Sequence, residues 1–186
     1  MSGLLKYWFG APPPPDQPQP PDQQITVSVA ESITAGAVAT ILCSEPGSSA
    51  YFKGSIVAYN AASKRDILHL DISEKINHAN SFTTLEMAKA AVRIFNSRIG
   101  LATTGYSLPV QRPESKNQCA LNVIKPYAVI CLYDHLRDYH IITQIEFEYD
   151  QNKSRKMQRA NVQAKVALET KKMFDNYVSV VSTAEK

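Results

Sequence analysis

One serine in this 186-residue chain stands where a nucleophile could be made. Ser32, in Val29-Ala30-Glu31-Ser32-Ile33-Thr34-Ala35-Gly36, lies between a β-branched run and a helix of small residues. A strand-to-helix turn of this kind leaves the first helical N–H groups without intrahelical partners, and the helix dipole there favours negative charge. An attacking hydroxyl and the oxyanion it creates would share that corner. The same residues also describe an ordinary N-cap, in which the serine oxygen only accepts a helix N–H. A serine is in any case a poor nucleophile without a base beside it.

Further on, Ser55 to Tyr59 repeats strand character and leads into a short helix over Ala61 to Leu70, with Lys64 in its first turns. If that strand runs parallel to the one over Ile25 to Ala30, Ser32 and Lys64 both fall just beyond carboxyl ends on one edge of the sheet. Ligands of open α/β sheets bind there. A solvated lysine, with a pKa of about 10.4, is protonated at neutral pH and takes no proton from a serine. Burial against apolar strand ends would lower that value. The plain alternatives are a solvated helix lysine for Lys64 and a sheet-edge aromatic for Tyr59.

Three segments, Ala30 to Gly36, Pro46-Gly47-Ser48-Ser49-Ala50-Tyr51-Phe52, and Tyr59-Asn60 followed by Lys64, together resemble the CinA C-terminal domain family. The family patterns read approximately A-E-S-x-T-G-G, P-G-S-S-A-x-F and V-x-Y-S-N-x-x-K. The likeness continues more weakly through Glu86-Met87-Ala88, Lys125-Pro126 and Asp150 to Arg155, so it spans roughly residues 25 to 180. Bacterial members are nicotinamide mononucleotide amidohydrolases. The resemblance therefore implies hydrolysis of a carboxamide to carboxylate and ammonia through an acyl-enzyme, without metal or organic cofactor. It implies Ser32 as nucleophile, Lys64 as general base and Tyr59 assisting through its phenol. Thr34, Ala35 and Gly36 would offer backbone N–H groups to the oxyanion, and Gly105 and Arg155 would meet the pyridine nucleotide. A homo-oligomer is expected on the same ground. Longer relatives carry an additional N-terminal domain associated with nucleotide pyrophosphatase activity, which is expected to be absent here.

The pattern is altered after the third strand. Family members read S-G-x-A-G-P-x-G-G there, whereas this chain has Thr104-Gly105-Tyr106-Ser107-Leu108-Pro109-Val110-Gln111-Arg112-Pro113. Leu108 carries a Cβ where backbone would close on a phosphate, and Tyr106 is large enough to fill part of a pocket. Ala35 replaces the first glycine after Thr34, and Tyr149 and Gln151 replace the glycine and arginine of a G-D-R signature. The competing reading is a catalytically inactive binding or scaffold protein of the same fold. For Arg155 the competing reading is a solvated basic face shared with Lys153, Lys156, Arg159 and Lys165.

The elements that must position these residues alternate in type. Strands are expected over 25–30, 55–59 and 99–103, and helices over 34–44, 61–70 and 83–97. A hairpin follows, from Ala128 to Tyr133 and from Ile141 to Phe147. The last helix, from about Asn152 to Tyr177, is expected to turn Ala160, Ala164, Ala167, Leu168 and Met173 inward. The pattern predicts an α/β fold, a single three-layer α/β/α domain over 25–182 with a mixed, mostly parallel sheet. Residues 1–24 form an apolar segment and a proline-rich linker. Leu4, Leu5, Tyr7, Trp8 and Phe9 suit docking on the chain itself, a second subunit or a protein partner, and the run is too short for a membrane span.

A formal charge of +3, from 20 Lys and Arg against 17 Asp and Glu, gives no support for a nucleic-acid partner. The basic run at 153–165 also lacks interleaved aromatics. Cys43, Cys119 and Cys131 show no CxxC spacing, and the apolar runs around Cys43 and Cys131 predict buried, reduced thiols in a cytoplasmic protein. His69, His78, His135 and His140 have no metal-ligand spacing, and none falls in the matched motifs where it would serve Ser32 as base.

Overall fold

Alternation along Val27–Glu31 (β1) sets the layers of the molecule, because successive side chains of a strand face opposite sides of the sheet. Val27 and Val29 pack on one face and Ala30 on the other, and all five residues are buried. The computed structural model describes residues 24–72, 78–111 and 123–184. The apolar segment at 1–9, nearly all of the proline-rich linker, Cys119 and most of the stretch 111–122 lie outside the described residues.

β1 is central. It pairs in parallel with Phe52–Val57 (β2) on one side and Ile99–Tyr106 (β3) on the other. Tyr127–Asp134 (β6) runs antiparallel to β3, and Tyr139–Glu146 (β7) antiparallel to β6, giving the order β2-β1-β3-β6-β7. Only β6 is reversed among these five strands, so the sheet is mixed with most strands pointing one way. Val110–Gln111 (β4) and Val123–Ile124 (β5) make a separate small ladder.

Helices cover both faces. Ser81–Phe95 (α3) packs on the face of Ala30, Ala102 and Cys131, together with Leu68 and Leu70 from beyond Ala61–Asp66 (α2). α3 comes very close to β3 at Gly100, where a Cβ would meet the Ala88 carbonyl oxygen at 2.1 Å. Ala37–Cys43 (α1) and Arg155–Ala184 (α4) cover the opposite face through Val38, Leu42, Phe174, Tyr177 and Val181. No helix among the described residues is long and apolar enough to cross a membrane.

Three local expectations are corrected. Helix α1 begins at Ala37 rather than Thr34, because Ala35 (φ 51°) and Gly36 (φ 100°) adopt the left-handed region and hold the turn open. Helix α4 is longer than the sequence pattern suggested, and its buried stripe is Gln158, Val162, Val166, Ala167, Thr170, Phe174, Tyr177 and Val181. Ala160, Ala164 and Leu168 face solvent, and Met173 is half-buried. Weighting small alanines as core rotated the stripe, whereas the β-branched and aromatic residues set it. Cys43 is exposed at the end of α1, while Cys131 is buried in β6 and its thiol is pushed up to about 12 by burial.

A buried polar cluster ties the far end of the sheet together. The Asp134 carboxylate accepts from Arg98 at 3.2 Å, Arg137 at 3.2 Å and the Tyr177 hydroxyl at 2.8 Å. These bonds link the start of β3, the end of β6 and α4.

Candidate active site

Glu31 determines the shape of the corner that holds Ser32. It is the last residue of β1 and wholly buried, on the α1 side by the pleat of the strand. Its carboxylate accepts Gly36 N–H at 2.8 Å, Ala39 N–H at 2.8 Å, Val38 N–H at 3.2 Å and the Thr34 hydroxyl at 2.7 Å. The Ser55 hydroxyl adds a fifth bond at 3.2 Å. The strand's own carboxylate thus caps α1, and Gly36 occupies the N-cap position without a side-chain bond. Ser32 is left uncommitted to capping.

Ser32 is anchored by its backbone, with its N–H donating to the Thr103 carbonyl at 2.9 Å. Its Oγ lies 3.0 Å from Lys64 Nζ and 3.5 Å from the Tyr59 carbonyl, the latter too long for a strong bond. Lys64 comes from α2, which starts where the Asn60 side chain accepts Ser63 N–H at 2.7 Å. The amine makes a second bond, to the Ala58 carbonyl at 2.9 Å, and Lys64 is only 4% exposed. None of its hydrogen bonds is to a carboxylate among the described residues. Burial, with no compensating anion, lowers the Lys64 amine to about 8. About a tenth of the molecules then carry the neutral amine at pH 7, against roughly one in 3,000 for a solvated lysine.

A cavity of about 310 Å³ opens over this pair. Ser32, Tyr59, Ala61 and Lys64 form one wall, and Thr104, Gly105 and Tyr106 from β3 another. Its size is at the lower end for small-molecule sites. Gly105 is required where it stands: φ is 147°, and a Cβ would lie 2.2 Å from the Tyr127 carbonyl oxygen. Tyr106 lines the cavity and packs edge-on against Tyr127, centroids 5.8 Å apart. A larger apolar groove of about 810 Å³ runs between β7 and α4, lined by Ile141, Ile145, Met173 and Val180 among others. It holds no paired nucleophile and base.

The remaining candidate residues are distributed unevenly. Tyr59 is 52% exposed, and its phenol meets the Arg159 guanidinium, whose Cζ also lies 5.7 Å from the Tyr59 ring centroid. It is the Tyr59 backbone carbonyl, not the phenol, that faces Ser32. Arg155 is exposed at the start of α4 and does not line the cavity; Arg159, one turn later, makes the contact across to Tyr59. The Thr34 hydroxyl is engaged by Glu31 and by Thr103 at 2.7 Å. The Gly36 N–H is taken by Glu31, which removes it from the set of oxyanion donors, while those of Thr34 and Ala35 make no bond among the described residues.

His78 also lines the cavity, although nothing in its spacing from Ser32 or Lys64 singled it out. The chain brings it there two residues before Asn80, the N-cap of α3. Among the described residues, no three His, Cys, Asp or Glu side chains converge as a metal-holding set.

The comparisons with known proteins follow the same outline. A CinA-like protein of Fervidobacterium nodosum is 39% identical over 93 residues, 49% of this chain and 23% of that protein. Protein MG115 of Mycoplasma genitalium is 38% identical over 86 residues, covering 45% of this chain and 55% of the relative. The chain thus spans about a fifth of the length of several curated relatives it matches. Among solved structures, a competence-damaged protein (CinA) superfamily protein from Escherichia coli superposes with a TM-score of 0.58 at 20% identity, covering 79% of this chain and 80% of that one. A competence/damage inducible protein from Agrobacterium tumefaciens gives 0.55 at 22% identity, covering 78% and 82%. The family model described as CinA C-terminal domain matches residues 20–124, more than half of the sequence, and the chain belongs to that family.

Proposed function

We propose that this protein is a nicotinamide mononucleotide amidohydrolase of the serine/lysine type, converting a carboxamide to a carboxylate and ammonia. The observation that carries the reading is the 3.0 Å approach of Lys64 Nζ to Ser32 Oγ at a cavity, with the amine buried and bonded to no carboxylate among the described residues. The neutral fraction of Lys64 takes the Ser32 proton as Oγ bonds to the carboxamide carbon, and the oxygen of the tetrahedral intermediate draws on local N–H groups. The ammonium of Lys64 then returns that proton to the departing nitrogen, so the C–N bond breaks with ammonia leaving. Water repeats the sequence on the acyl-Ser32 ester and releases the carboxylate.

A second reading is favoured by one specific feature. Tyr106 stands in the cavity wall and is large enough to fill part of it, and the Tyr59 phenol is occupied by Arg159. Binding without turnover would follow if these side chains misplace the ring. Ammonia release from nicotinamide mononucleotide decides between the two. The amidohydrolase reading expects release by the wild type and its loss, by about a thousandfold or more, in Ser32→Ala and in Lys64→Ala. A wild type that binds the nucleotide and releases no ammonia supports the second.

A further inference from the structure

Within the described residues, His78 alone has buried side-chain polar atoms with no partner: Nδ1 and Nε2 are both shut off from solvent and neither makes a hydrogen bond. Buried polar groups in native folds are nearly always satisfied, and one that is not calls for an occupant on its open side. His78 is among the residues that line the cavity containing Ser32 and Lys64. A carboxamide seated over Ser32 would lie beside His78 and would bring one of these nitrogens the partner it lacks.

The backbone that carries the ring is held from behind. Ala79, the next residue, is buried, and its carbonyl accepts the Tyr127 hydroxyl at 2.5 Å. Asn80 then caps α3 by accepting Thr83 N–H at 2.8 Å. These bonds tie the backbone of the 78–80 stretch to β6 and to the longest helix on that face. Burial first, and the neighbouring Lys64 ammonium second, hold the imidazole below its ordinary range. A neutral imidazole has one donor nitrogen and one acceptor nitrogen.

Ser32 and Lys64 act on the carbon and the proton of a carboxamide. Neither accepts the N–H hydrogens of the amide before the C–N bond breaks, and a lysine ammonium cannot. We propose that His78 is a substrate-contacting residue of this site, its ring nitrogen accepting an N–H of the carboxamide seated over Ser32. This inference rests on the amidohydrolase reading for its substrate class, a planar primary carboxamide. In the tautomer that turns the acceptor nitrogen to the substrate, His78 also separates substrate from product, because a carboxylate has no N–H to offer.

The test compares His78→Phe and His78→Gln with the wild type. KM and kcat are measured for nicotinamide mononucleotide, and the inhibition constant for nicotinate mononucleotide, the product. His78→Phe is expected to raise KM about tenfold, the loss of one net hydrogen bond, while weakening the product much less. His78→Gln, which keeps an acceptor, is expected to recover most of the loss. Melting temperatures of both variants should stay at or above that of the wild type, because no native bond is removed. Unchanged KM in His78→Phe overturns the proposal, as does a fall in melting temperature with KM unmoved. If the wild type releases no ammonia, the amidohydrolase reading fails by itself. His78 is then judged by the ring nitrogen resonances in Ser32→Ala titrated with nicotinamide mononucleotide: a shift of those signals supports contact, and a ring unmoved at the highest soluble concentration overturns it.

Discussion

The parallel and antiparallel halves of the sheet put their buried polar groups to different uses. Beside β2, β1 and β3, Lys64 is buried without a bonded anion among the described residues, His78 has no hydrogen-bond partner on its ring, and Ser32 has no capping duty. In β6, β7 and α4, the buried charge of Asp134 is matched by Arg98, Arg137 and the Tyr177 hydroxyl. The first arrangement leaves groups reactive at a cost in stability, and the second spends them on holding elements together. The family match, at residues 20–124, lies over the first half and stops before β6.

The largest effect that sharpens this contrast is on activity. Ser32→Ala is expected to abolish ammonia release by about a thousandfold or more while leaving the melting temperature near that of the wild type. Removing the Asp134 carboxylate in the other half should do the reverse. Asp134→Ala removes the buried carboxylate that Arg98, Arg137 and the Tyr177 hydroxyl share, and denaturant melts should show a loss of about 3–5 kcal/mol. Equal loss of activity and stability from either change would break the comparison.

Lys64 gives an intermediate effect with a definite sign. Its amine has a folded value of about 8, below the ordinary 10.5 of a solvated lysine, so the unfolded chain binds the proton more tightly. Stability contributed at this position therefore rises as pH climbs from about 8 towards 10.5 and is withheld below that window. Subtracting the profile of Lys64→Met from that of the wild type should isolate a rise on the order of 3 kcal/mol. A flat difference across that window would mean that the amine is charged in the fold.

Smaller effects test individual contacts. Tyr59→Phe removes the phenol that meets Arg159, and kcat/KM should fall a few-fold at most, because that hydroxyl does not reach Ser32 or Lys64. On α4, Val166→Ala should cost about 2 kcal/mol. Leu168→Gln, two residues later and exposed, should stay within about 0.5 kcal/mol.

The layers were legible because strand and helix alternate cleanly, and the Ser32–Lys64 pairing because both residues stand in the segments that resemble the family. The start of α1 was not, since its cap is supplied by Glu31 across the turn rather than by the residue next to the helix. Arg155 and Arg159 lie on neighbouring positions of one helix face, and spacing alone does not choose between them. His78 left no trace in the sequence because the loop and the cap of α3 bring it to the cavity, not a periodic element. The stripe of α4 was misread because alanine fits either face of a helix.

The titration of the Lys64 side chain, followed through its Nζ or Cε resonance in the intact protein, tests the central claim most directly. The account predicts a midpoint of about 8, moving when Ser32 is replaced by alanine. A midpoint at the ordinary lysine value, indifferent to Ser32, would contradict it.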